Sequence, residues 1–276
     1  SILNIILGNF IVFLLSMPIG IQASKDKKTS AMQVKDTLGK QGNKITILGL
    51  LILLIGWFAL NINLIGEAIL DITNTYLSHN VRSLSPLFNI IIGSCIIYIV
   101  SRGITVLKNL TKVFVILFFA TIALNLFTQL ALNTTKLVDY GSYSIAIPAL
   151  IFVVACPIGQ IFDLPTFHRF AISIRSSIIS NALVFLFFLP LVEITGSLLY
   201  IHSNSSNIIS SLINQNLPIY LLIWNAVFIT ISVCSIDNIN LYVLAVNTEV
   251  LMPRISFKYR AYIIGVVAVL FSLTNV

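Results

Sequence analysis

The chain has 276 residues, of which 58% are hydrophobic and 9% charged, with a mean hydropathy of +1.01. That balance excludes a soluble globular domain and leaves a polytopic, multi-pass integral membrane protein. A net charge of +7 would fit a nucleic-acid binder, but the basic residues follow the connectors of a membrane protein, so no nucleic-acid partner is inferred.

Eight apolar segments run in order at about 2–22, 45–70, 86–101, 112–132, 145–162, 177–201, 218–245 and 259–275. Each is read as a transmembrane helix, because a bilayer core of about 30 Å takes roughly 20 apolar helical residues. The alternating pattern of a membrane barrel is absent. The first segment has no basic stretch ahead of it and is not read as a cleavable leader. The chain starts at Ser1 rather than Met, and a piece of a longer protein is expected.

The connectors carry nearly all the charge. Residues 23–44, 102–112, 163–176 and 251–260 together hold fourteen of the sixteen Lys and Arg. The alternate connectors 71–85, 133–144 and 202–217 hold only Arg82 and Lys136. Such alternation is the positive-inside pattern, and it supports eight crossings with the basic connectors in the cytoplasm. The basic bias therefore reports topology and contact with membrane lipid.

The second segment carries Gly56-Trp57-Phe58 and then Asn61. Trp57 and Asn61 are four residues apart and share a helix face near mid-span, away from the interfacial belts where tryptophan is usual. An indole beside a carboxamide suits a planar polar heterocycle, the ring stacking and the amide pairing with the ligand edge. A bond from Asn61 to a neighbouring helix is the structural alternative.

The fifth segment is interrupted by Cys156-Pro157-Ile158-Gly159-Gln160. Proline removes a backbone donor and clashes with the preceding turn. Freed backbone groups in lipid are tolerated only where they are buried in protein or line a cavity, and transporters bind substrates at such interruptions. A plain proline kink is the alternative.

Intramembrane acids are costly and functional by default. Glu67 lies at the outer end of its segment. Glu193 sits deeper, and is read as a helix-end or interhelical acid. Asp237 has Thr230, Ser232, Ser235, Asn238 and Asn240 near it in sequence. Oxygen ligands of this kind suit a small cation, so Ser235 and Asp237 are candidate metal ligands, for Na+. Cys95, Cys156 and Cys234 form no CxxC pair and read as small buried hydrophobes. His79, His168 and His202 fall at span ends or in connectors, and no catalytic or phosphate-binding motif is present; an enzyme is not inferred.

These residues resemble a family, the nucleobase–cation symporters, and within it the cytosine-permease and hydroxymethylpyrimidine-transporter branch. Gly8-Asn9 is similar to the opening of the family's second helix. Gly39-Lys40-Gln41-Gly42 matches the glycines before its third helix, and Gly56-Trp57-Phe58 the Gly-Trp-Phe within it. Thr166-Phe167-His168-Arg169-Phe170 is similar to Asp-Phe-x-Arg-Phe after the sixth helix, with Thr for Asp. Ser235 to Tyr242 is similar to Thr-Asn-Asp-Asn-x-Leu-Tyr in the eighth, with Asp237 for Asn and Asn238 for Asp.

The resemblance covers the chain as family helices two to nine. It implies an all-α, leucine-transporter-type inverted-repeat fold, and a single transmembrane transporter domain over 1–276 that lacks the first helix and those after the ninth. It further implies that Trp57 stacks on a base and that the turn formed by Cys156, Pro157, Gly159 and Gln160, with Asp237 or Asn238, hydrogen-bonds it; Asn61, from its spacing, joins Trp57, that turn and Asn238 as the candidate substrate-binding residues. The expected function is import of a nucleobase such as cytosine or a purine by symport with Na+ or H+ across the cell membrane. No cofactor beyond that coupling ion and no obligate protein partner is inferred. The alternatives are a hydroxymethylpyrimidine transporter and a truncated, inactive remnant. The sixth-helix turn, Ala-Cys-Pro-Ile-Gly, departs from a cytosine branch richer in Gly, Ser and Phe.

Overall fold

The fold is known from a computed structural model that describes residues 2–77, 84–132, 145–203, 209, 212–213 and 218–274. His79, Arg82, Lys136 and most of the connectors 133–144 and 202–217 lie outside the described residues, as does the side chain of His202. Among the described residues there is helix and no strand. The helices are α1 (Ile2–Asp26), α2 (Ser30–Leu77), α3 (Ser85–Ser101), α4 (Ile104–Leu132), α5 (Ile147–Ala155), α6 (Ile158–His168), α7 (Ile174–Ala182), α8 (Leu189–Ser203), α9 (Ile219–Asn247) and α10 (Phe257–Ser272). A π-helical stretch, Leu183–Phe188, joins α7 to α8 without a break.

Each of the eight apolar segments coincides with a helix, or for the fifth with the pair α5 and α6, apart from a few residues at segment ends. Six helical stretches are long and apolar enough to cross a membrane: Ile2–Asp26, Ser30–Thr73, Ile104–Thr128, Ile147–His168, Ile174–Tyr200 and Ile219–Val250. The other two, α3 and α10, are shorter, at 17 and 16 residues. The chain is an integral, multi-pass membrane protein.

Several helices run past the limits of their apolar segments. Helix α2 begins at Ser30, so Lys35, Lys40 and Lys44 are helical, and α4 begins at Ile104, which places Lys108 and Lys112 on its first turns. Helix α6 continues to His168. Hydropathy marks the part of a helix that meets lipid; charged residues with good helix propensity extend the same helix into water. Two glycines in the left-handed region turn the backbone where another residue would be strained: Gly39 (φ 69°) kinks α2, and Gly103 (φ 84°) separates α3 from α4. The expectation that all three cysteines are buried fails, since Cys95 and Cys156 are exposed and Cys234 is half-buried. They sit on helix faces turned away from the packing, where an apolar run alone does not tell an inward face from an outward one.

The chain forms two compact units, Ser1–Thr37 with Ile122–Leu198, and Leu38–Thr121 with Leu199–Val276. The first is built around α1, which packs on α5, α6, α7 and the π-helical stretch. Val12, Ile161 and Phe185 form its apolar centre. Small residues let the helices approach: a Cβ on Gly8 would meet Val153 at 2.5 Å, and one on Gly20 would meet Asn181 at 2.7 Å. Ser173 and Ser176 cap α7 reciprocally, each side chain taking the other's backbone N–H at 3.1 Å.

The second unit packs α3, α9 and α10 on one another. Asn89 Nδ2 donates to Asn63 Oδ1 at 2.7 Å, tying α3 to α2. Phe114 of α4 stacks on Phe228 of α9 with centroids 6.2 Å apart, and Trp224 donates to Thr121 at 2.9 Å. Arg260, buried in α10, donates to the carbonyls of Ala245 (2.8 Å) and Ile255 (3.0 Å) and so fixes the turn between α9 and α10.

Candidate functional site

The sequence-derived site residues fall in both units, and each group is described within its own. In the second unit, Trp57 and Asn61 lie one turn apart on α2, as their spacing requires. They line a cavity of about 450 Å³ with Leu60, Asn63, Leu64, Glu67 and Ser85. Trp57 is 46% exposed, so its ring presents a face to that space. Asn61 is 8% exposed, and its Nδ2 donates to Asp237 Oδ1 at 2.8 Å. The structural alternative for Asn61, a bond to another helix, is thus present, and it joins the tryptophan turn to the acid of α9. Glu67 is exposed at the cavity edge.

Asp237 is fully buried, and among the described residues its Oδ2 has no partner. Asn238, 2% exposed, donates from Nδ2 to the Cys234 carbonyl at 2.7 Å, and its Oδ1 is likewise unpartnered among the described residues. These two oxygens, with both amide atoms of Asn43 and Oδ1 of Asn89, are the buried polar atoms without a partner among the described residues of this unit. Thr230, Ser232 and Ser235 turn their hydroxyls back on the carbonyls of Ala226, Phe228 and Ile231, at 2.7 to 2.8 Å. This donation is the usual outcome for hydroxyls inside a helix, and it leaves their oxygen lone pairs as the only ligand capacity. Ser235 is two residues from Asp237, about 200° around the helix, so the two candidate cation ligands face different ways.

In the first unit, α5 ends at Ala155 and α6 begins at Ile158. The interruption is short. Cys156 keeps a helical conformation and donates to the Phe152 carbonyl at 3.1 Å, while Pro157 (φ −86°, ψ 0°) becomes the cap of α6. Pro157 is buried, Gly159 half-buried, and Cys156 and Gln160 are exposed. The structure therefore breaks the helix where the sequence indicates, over two residues.

Glu193 accepts from Asn9 Nδ2 at 2.6 Å, which is the interhelical bond expected of it. Thr166 and Ser30, both buried, bond at 3.0 Å. His168 falls at a span end, as expected. It is buried at the end of α6 and bonds Ser177 at 2.5 Å. Asp163 is missed by the sequence reading because the apolar run stops at Phe162 while the helix does not. It is 8% exposed, and its Oδ1 has no partner among the described residues. The available signal was its placement six residues after Pro157 and two before Pro165, on a helix one turn longer than its apolar part.

No family model matches the chain. No curated protein matches it either. Among solved structures, the chain is similar to Mhp1, a nucleobase-cation-symport-1 family transporter, in a closed conformation with bromovinylhydantoin bound. The TM-score is 0.85 at 17% sequence identity, covering 100% of this chain and 64% of that one. The whole chain therefore has the all-α fold of part of that transporter, and spans less than two thirds of its length.

Proposed function

We propose that this chain belongs to a secondary transporter of the nucleobase–cation symporter type, which carries a planar nitrogen heterocycle across the cell membrane together with Na+ or H+. The carrying observation is Trp57, which is 46% exposed and lines a 450 Å³ cavity of the second unit, on a chain whose fold throughout is similar to that of a transporter. A six-membered base fits the cavity, the indole offers a stacking face, and Asn61 supplies an amide group for its edge, with Asn238 a further candidate that does not line the cavity. In the first unit, the interruption at Cys156, Pro157, Gly159 and Gln160 is the second substrate-binding element in this reading. Asp237, buried with one oxygen unfilled, is the coupling-ion residue of the second unit, with Ser235 a weaker candidate given its direction.

That the similar transporter holds a hydantoin supports a flat ring with alternating donors and acceptors; cytosine, a purine and hydroxymethylpyrimidine all share that character. The test is a binding series of cytosine, uracil, adenine and hydroxymethylpyrimidine to the purified chain and to Trp57→Ala. Stacking on an aromatic face contributes roughly 1–3 kcal/mol, so Trp57→Ala weakens binding about ten- to a hundredfold. Trp57→Phe retains part of the affinity. Equal binding of every ligand by wild type and Trp57→Ala contradicts the placement of the base.

A further inference from the structure

Asp163 is the buried acid that the substrate reading leaves unused. It lies in the first unit, on α6, between the apolar side chain of Ile161 and Pro165. Val12 of α1 packs in one cluster with Ile161, and a Cβ on Gly20 would lie 3.4 Å from His168. The stretch of α1 that runs past Asp163 is therefore the one between those contacts, Phe13 to Ile19. It holds no ionisable side chain, and its only hydroxyl, Ser16, donates to the Phe13 carbonyl at 2.8 Å.

The other charged groups among the described residues of the unit are bonded, in ring contact or exposed: Lys27 donates to the Ala171 carbonyl, and Lys28 pairs with Asp36 at 2.6 Å. Lys25 and Asp26 are exposed at the far end of α1, Lys35 and Asp36 are exposed on the first turns of α2, and Arg175 is exposed on α7. Glu193 of α8 is held by Asn9. On the segment of Asp163 itself, His168 is bonded to Ser177, and the Arg169 guanidinium lies over the Phe170 ring at 4.6 Å, its Nε buried and without a hydrogen-bond partner among the described residues.

A carboxylate only 8% exposed, with one oxygen unpartnered and no cation bonded to it among the described residues, is disfavoured, and neutralises by taking up a positive species. A metal ion needs a shell of several oxygens, and the neighbours of Asp163 on α6 and α1 do not supply one. A proton needs only the orphan oxygen. Asp163 is outside the lining of the described cavities, but one turn further along α6 Phe167 lines a cavity of about 290 Å³ with His168, Ser176, Ser177 and Ser180. That cavity lies at the end of α6 that carries the basic connector.

We propose that Asp163 is a proton-binding site, loaded and emptied through the cavity beside His168 and Ser177. The proton adds to Oδ1 and leaves the same atom, so the cycle needs no other reactant. Its use in driving transport rests on the transporter reading; its existence does not.

Two measurements separate these. The first is labelling of the full chain in vesicles with dicyclohexylcarbodiimide, which modifies protonated buried carboxyls, read by peptide mass spectrometry at Asp163. The expected result is modification at low pH that falls away as pH rises and is absent in Asp163→Asn. Modification independent of pH, or none at any pH, overturns the proposal. The second is accumulation of radiolabelled cytosine under an inward proton gradient. One proton per substrate supports about tenfold accumulation for each pH unit. Asp163→Asn, which mimics the protonated acid, is expected to equilibrate and exchange cytosine without concentrating it. Wild-type accumulation by Asp163→Asn overturns the coupling role. Failure of both proteins to take up cytosine, with labelling that titrates, rejects cytosine as substrate and leaves the proton site standing.

Discussion

Asn61 illustrates how one side chain serves both packing and recognition. Its Nδ2 is committed to Asp237 at 2.8 Å, so the group facing the cavity beside Trp57 is the remainder of the carboxamide. Asn61→Ala removes the donor that α2 supplies to that carboxylate and leaves a fully buried acid without it. An orphaned buried group costs about 1–3 kcal/mol, so Asn61→Ala lowers the melting temperature of the detergent-solubilised chain as well as changing the ranking among bases. An unchanged melting temperature with altered ranking would show that the Asp237 bond contributes nothing and that Asn61 acts on the ligand alone. The pairing of Trp57 with Asn61 was legible from their spacing of four. The identity of the acid beyond Asn61 was not, because the two residues are 176 positions apart and nothing local links them.

At the scale of elements, the two shortest membrane helices of the second unit are held by a reciprocal glycine seam. On α3, Gly93 and Ile97 are one turn apart; on α10, so are Gly265 and Val269. A Cβ on Gly93 would meet Val269 at 2.2 Å, and one on Gly265 would meet Ile97 at 2.4 Å. Each glycine is thus the hole for the other helix's branched side chain, and Asn89 Nδ2 extends the same seam to the Ser272 carbonyl at 3.4 Å. Lipid offers no hydrophobic drive for helices to associate, so close packing through small residues carries the contact. Gly93→Val forces the helices apart and is expected to destabilise the fold by about 1–3 kcal/mol, measured by thermal unfolding. Wild-type stability in that variant would mean that α3 and α10 are not held by this seam.

Element boundaries explain what the sequence hid. Hydropathy located all eight segments, since burial in lipid is what it reports. It stopped at Phe162, so Asp163 was assigned to a connector, whereas the backbone hydrogen bonds of α6 continue through His168. Likewise Gly39 stood out as one of a glycine pair, but its φ of 69° inside an otherwise continuous helix is a property of the backbone that a glycine permits without announcing.

For the whole molecule, the alternation of basic connectors with connectors poor in Lys and Arg and the eight helical stretches agree on a multi-pass membrane protein, and the likeness to a solved transporter extends over 100% of the chain. The central claim is that this fold moves a base against its gradient at the expense of an ion gradient. Reconstituting the chain in liposomes and following radiolabelled cytosine, adenine and hydroxymethylpyrimidine tests it most directly. The account predicts that at least one of them accumulates inside above its outside concentration when an inward Na+ or proton gradient is imposed, and that the gain collapses when an ionophore dissipates the gradient. Uptake of all three that never exceeds equilibration, whatever gradient is imposed, would contradict it.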